Sequence, residues 1–141
     1  MPKKYGEMMD LRELEKIVRE VIPAKLGTFR KLRGGGDPYH FKEWEGEEIL
    51  RYWFWNRERN KKISKRVFIN EIAPLVKHCV SKGTIERSDF KLHCPKTHRD
   101  GSCGLAVIGR ILDFFSIAKY DQHLRKHIIT ESTIKISLVP A

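Results

Sequence analysis

The chain has 141 residues, enough for one ordinary domain and too few for two well-filled cores. Hydrophobic residues make up 40%, which excludes a wholly disordered chain, and no apolar run nears the roughly 20 residues that span a bilayer. Lys and Arg number 28 against 18 Asp and Glu, and the resulting net charge of +10 selects polyanions as natural partners.

The opening Met1-Pro2-Lys3-Lys4-Tyr5-Gly6-Glu7 leads into no apolar signal core. The expectation is a cytoplasmic protein, not exported and with no membrane partner. Three cysteines in such a chain read as free thiols or metal ligands, not as a disulfide framework. One glutamine and three asparagines among many Lys, Arg, Glu and Ile match the composition of a heat-adapted protein.

Residues 10–22 have helical spacing. Asp10 can cap the helix with Glu13 three residues on, and Leu11, Leu14, Ile17, Val18 and Val21 share a face that Pro23 closes. That face is the natural element for a homodimer, unless the helix packs on its own domain. Gly27, Gly34-Gly35-Gly36 and Pro38 then punctuate a long arm, basic at Lys25, Arg30, Lys31 and Arg33. A second helix is expected over 47–59, with Ile49, Leu50, Trp53 and Phe54 as its buried stripe and Tyr52 and Trp55 widening it. Beyond it, residues 57–66 hold six basic residues in ten, namely Arg57, Arg59, Lys61, Lys62, Lys65 and Arg66.

Val67-Phe68-Ile69 is a short strand candidate. A helix follows from Asn70 or Ala73, with Ile72, Leu75, Val76, Cys79 and Val80 on one face and Gly83 as its stop. Ser88-Asp89-Phe90 opens a short helix that Pro95 closes, and 95–102 reads as a polar loop. The clearest helix covers 104–116, on Leu105, Ile108, Ile111, Leu112 and Phe115. Lys126 to Thr130 and Thr133 to Val139 read as two strands.

Two segments, Val67-Phe68-Ile69-Asn70-Glu71-Ile72-Ala73 and Val107 through Ala118, resemble a winged helix-turn-helix DNA-binding domain over about 49–139. The first looks like a strand leading into the second helix, the next like a third helix ending in a tight turn. The expected fold is mainly α with a small β-hairpin: a winged-helix-like domain at 47–141, carrying an insertion at 83–102, preceded by an N-terminal helix and basic arm at 1–46. The resemblance implies that the third helix enters the major groove of double-stranded DNA while the wing touches the backbone. Arg110 then faces out from that helix, and Lys119, Arg125 and Lys126 contact phosphates. The run 57–66 and Arg99 extend the basic surface. RNA is the second candidate ligand. A protein–protein module in a nucleic-acid-associated assembly is the competing reading, because the same fold serves both ends.

Two further constellations carry chemistry. Cys79, Cys94, His98 and Cys103 have the donor types of a closed structural zinc site, although no Cys-x2-Cys pair marks one. The competing reading is of ordinary thiols, with Cys79 on an apolar helix face. Asp37, His40 and Glu43 have donors for a divalent ion in a nuclease, but Gly-Gly-Gly-Asp-Pro is first of all turn chemistry. No catalytic set emerges, and no cofactor is required. Trp53, Phe54 and Trp55 have rings that can stack on unpaired bases, whereas aromatics at helical spacing usually belong to a core.

Overall fold

The computed structural model describes residues 13–25, 28–29, 38–101 and 103–130. Helix α1 (Leu14–Lys25) is followed by the two-residue strand β1 (Thr28–Phe29), then β2 (Tyr39–Glu45), β3 (Ile49–Asn56) and β4 (Lys61–Phe68). These four strands form one antiparallel sheet in the order β1-β2-β3-β4. A single 3-10 turn (Ile69–Glu71) leads into α2 (Ile72–Cys79), β5 (Thr84–Ile85), α3 (Arg87–His93), α4 (Pro95–Asp100), α5 (Gly104–Phe114), β6 (Ala118–Asp121) and β7 (Lys126–Ile129). The last three strands make a second antiparallel sheet in the order β5-β7-β6. The chain is therefore mixed α/β, which corrects the expectation of a mainly α fold.

The correction centres on 47–59. Ile49, Leu50, Trp53 and Phe54 fit a helical stripe, yet Leu50, Tyr52 and Phe54 also alternate, and alternation is what the fold uses. β3 pairs with β4 along its whole length and with β2 over Ile49 to Trp53, with Leu50 opposite Val67, Tyr52 opposite Lys65 and Phe54 opposite Ile63. Aromatic residues suit a pleated, half-buried surface, where cross-strand pairs let large rings pack. Tyr39 meets Tyr52 and Phe54 edge to face, at centroid distances of 5.5 and 5.6 Å. The arm expected over 23–46 likewise contains β2. Gly46, which lies at the expected boundary between 1–46 and 47–141, has φ of 67° in the turn joining β2 to β3.

One inner face of this sheet, with Tyr39, Leu50, Tyr52 and Val67, joins a single buried core with α1, the 3-10 turn, α2 and α5, while α4 and α5 pack against β4. Leu14 and Val18 of α1 are fully buried in this core and Ile17 packs against it, so this part of the apolar face suggested for a homodimer is engaged within the chain. The helix also runs through Pro23 to Lys25.

The second half matches its expectations more closely. The 3.6-residue spacing of Ile72, Leu75, Val76 and Cys79 gives α2, and all four side chains are buried. Gly83, at φ 74°, donates its N–H to the Cys79 carbonyl at 3.0 Å and stops the helix there. The 95–102 segment, by contrast, is mostly helix. Pro95 opens α4 instead of only closing α3, because the first helical position needs no N–H partner. α4 starts on a buried carboxylate: Glu71, 8% exposed, accepts from the Lys96 and Thr97 N–H groups at 3.0 Å each and from the Thr97 hydroxyl at 2.7 Å. Thr97 Oγ1 in turn accepts from the Phe68 N–H at 3.0 Å, so this node ties the end of β4 to α4.

The hairpin after α5 is β6–β7, with Ala118 opposite Ile129 and Asp121 opposite Lys126. The strand expected at 133–139 lies outside the described residues, as do Gly34–Gly36 and Asp37. No helix among the described residues is long and apolar enough to cross a membrane.

Candidate nucleic-acid interface

The predicted basic residues fall into two surfaces on different sheets. Arg57 and Arg59 lie in the exposed turn between β3 and β4, and Lys61, Lys62, Lys65 and Arg66 lie on β4. Arg110 lies on α5, Lys119 on β6, Arg125 in the β6–β7 turn and Lys126 at the start of β7. Arg99 is exposed on α4 and belongs to neither strand pair.

The second surface is built by α5 and the hairpin. α5 buries Gly104, Val107, Ile108, Gly109, Ile111 and Leu112, because its apolar spacing faces the core. A narrow half-buried strip of Leu105, Ala106, Arg110 and Asp113 remains. Lys119 Nζ reaches Asp113 at 2.7 Å, and Arg110 approaches the other oxygen of the same carboxylate at 3.8 Å. Both cations thus approach one carboxylate, which ties the hairpin to the helix. Arg125 adopts φ 57° in a turn that Asp121 holds, accepting from the Leu124 N–H at 2.9 Å. The tip of that turn exposes Leu124 and Arg125.

His127 lies beneath this surface. It is 3% exposed, tilted against Tyr120 at 5.0 Å, and its Nε2 makes no hydrogen bond with the described residues. Burial pushes its pKa down to about 4, with the nearby Asp113 carboxylate opposing the shift and the Arg110 guanidinium adding to it.

The first surface divides by strand period: Lys62 and Arg66 lie on the outer side of the meander, while Lys61 and Lys65, opposite Asn56 and Tyr52, alternate to the core side. Strand period divides the expected trio: Phe54 joins the core side, while Trp53 and Trp55 point the opposite way. There His40 stacks on Trp53 at 4.2 Å with 21° between the rings, and Lys62 Nζ lies 4.5 Å over the Trp53 ring. Arg66 and Lys96 both lie over Phe68, at 5.5 and 5.8 Å. Arg66 also makes a two-pronged contact with Asp100, its Nε and Nη2 donating to Oδ1 at 3.2 and 3.0 Å. Arg51 pairs with Glu45 at 2.8 Å.

Cys103 has different neighbours from Cys79 and Cys94. Cys94 Sγ donates to the Glu71 carbonyl at 3.6 Å, and Cys103 Sγ lies 3.1 Å from the Tyr52 hydroxyl. Burial pushes the Cys79 thiol up to about 11 and Cys94 further up still. His98 packs edge-on against Phe90 at 5.9 Å, and His78 stacks on His93 at 4.5 Å. Among the described residues, no three His, Cys, Asp or Glu side chains gather where they could hold a metal ion. His40 and Glu43 stand on β2 opposite Trp53 and Arg51.

Comparison with protein-family models, with curated proteins and with solved structures finds no match to this chain. Sequence reasoning found the cations but not the groups that organise them. Asp113 was legible as the acid three residues after Arg110 on a helix. The His40–Trp53–Lys62 column was not, since its members meet only through strand register.

Proposed function

We propose that this protein binds nucleic acid, and double-stranded DNA in particular, through α5 and the β6–β7 hairpin. The observation that carries the reading is the convergence of Arg110 and Lys119 on Asp113, which sets the half-buried strip of a helix beside a basic hairpin. A phosphate can replace Asp113 as the partner of either cation, and Arg125 and Lys126 extend the same cationic edge. Ala106, small and half-buried beside Arg110, lets a second backbone approach the helix.

The winged-helix likeness draws its support from residues 72–129 and not from 49 onward. There the order is helix, short strand, two short helices, longer helix and hairpin, with β5 as the third strand beside the hairpin. In that likeness α5 is the groove-reading helix and β6–β7 the wing. The net charge of +10 acts in the same direction, by drawing the chain to a polyanion.

The test is binding of a labelled random duplex to the full chain across a salt series. Affinity falls steeply between about 50 and 200 mM salt, since counterion release drives the association. Replacing Arg110, Lys119 and Arg125 by alanine together lowers affinity by about 30-fold, at roughly 0.7 kcal/mol per exposed phosphate contact. Absence of duplex binding at low salt refutes the proposal, and unchanged affinity in the triple variant moves the site elsewhere.

A further inference from the structure

The outer face of the first sheet has a composition that solvation alone does not explain. An antiparallel sheet with one face on the core usually turns polar side chains to water on the other. This face instead carries His40, Trp53, Trp55 and Phe68, interleaved with Arg51, Lys62 and Arg66. Trp55 is 38% exposed and stands directly opposite Lys62 across the strand pair. An exposed tryptophan by itself is unremarkable on a protein surface, but a ring beside a fixed ammonium, in a row of such pairs, is not a lone residue.

The cations of the face differ in their partners. At the β4 C-terminal end Arg51 pairs with Glu45 and Arg66 with Asp100, while Lys96 lies over Phe68. At the hairpin end, Lys62 has no carboxylate partner among the described residues and rests over the Trp53 ring. The exposed turn beyond it holds Arg59, with Glu58 beside it. Lys62 thus lies at the same end of the face as Trp55, the exposed aromatic ring among the described residues.

We propose that this face is a second site, for single-stranded nucleic acid, in which a base stacks on Trp55 and an adjoining phosphate is held by Lys62. Alternating aromatic rings and cations are the general requirement for binding unpaired strands: the rings take bases of any identity and the cations track the backbone. A protein partner of acidic character would use the cations but would not need the ring. A duplex would offer phosphates but no free base faces. The site is separate from α5 and the β6–β7 hairpin, and it needs no step of chemistry. It extends the nucleic-acid reading and is tested independently of it.

Fluorescence anisotropy of labelled oligothymidylate and oligouridylate with the full chain reads the site directly, with a random duplex as the parallel arm. Trp55→Ala weakens binding of both single strands by about tenfold, Trp55→Phe restores most of it, and duplex affinity stays unchanged. An abasic oligonucleotide, which has the phosphates without the bases, binds the unaltered chain about as weakly as oligothymidylate binds Trp55→Ala. Thermal unfolding of Trp55→Ala confirms that the partly exposed ring can be removed without loss of fold. Three outcomes overturn the proposal: no single-strand binding at low salt, Trp55→Ala within about twofold of the unaltered chain, or an abasic strand bound as tightly as oligothymidylate. Trp55-dependent single-strand binding without duplex binding overturns the α5–hairpin site and leaves this one standing. Duplex binding alone does the reverse.

Discussion

His127 makes the stability of the proposed duplex site depend on pH, and the sign follows from its environment. In the unfolded chain the ring titrates near its ordinary value of 6.5, while in the folded chain burial pushes it down to about 4. The folded protein therefore holds the neutral form, and protons bind the unfolded state more readily between those values. Stability is fully present above pH 6.5 and is lost as pH falls through the window toward 4. At pH 5 the loss is about 2 kcal/mol, from a ratio of roughly 30 between the proton-binding factors of the unfolded and folded states. Complete passage through the window costs about 3 kcal/mol, because the shift spans some 2.5 units at 1.36 kcal/mol each. In a chain of this size, 2 kcal/mol lowers Tm by about 8 °C. His127→Phe keeps a ring against Tyr120 and removes the titration, so its Tm changes much less between pH 7 and pH 5. Circular dichroism melts of both proteins across that interval measure the difference. A variant with the same pH slope as the unaltered chain, or an imidazole found by NMR to titrate near 6.5 in the folded protein, refutes the argument.

Two more outcomes test the node between β4, α4 and α5. Glu71→Ala orphans two N–H groups at the start of α4 and the Thr97 hydroxyl, and it costs about 3 kcal/mol in urea unfolding. Glu71→Gln, which keeps one acceptor oxygen, loses about half as much, and a loss under about 1 kcal/mol for alanine contradicts the assigned role. A Cβ at Gly104 would meet Thr97 Cγ2 at 2.5 Å, and Thr97 cannot turn away because its hydroxyl is engaged with both Glu71 and the Phe68 N–H. Gly104→Ala is therefore destabilising by about 1–2 kcal/mol, although alanine is the better helix former. Adding Thr97→Ser, which deletes that methyl and keeps the hydroxyl, recovers most of the loss. Equal stability of the single variant and the unaltered chain removes the close-packing explanation.

The sequence by itself determined the helices whose periodicity has only one solution. α2 and α5 follow from apolar residues at 3.6 spacing, and Gly83 ends α2 because a left-handed residue is cheap only for glycine. It also determined the excess of positive charge and the basic identity of Arg110, Lys119, Arg125 and Lys126. It did not determine β3. From Ile49 to Asn56 the same residues satisfy a helical stripe and a strand alternation, and the choice lies with partners outside any local window. β2 and β4 supply the hydrogen-bonding edges, and Tyr39 supplies the ring against which Tyr52 and Phe54 pack. That choice is what sends Trp53 and Trp55 outward, and it brings His40 and Lys62 to the same ring from neighbouring strands. The cationic residues were legible one by one, whereas their grouping into two surfaces was decided by strand register and by the packing of α5 against the hairpin, both of which join residues distant in the chain.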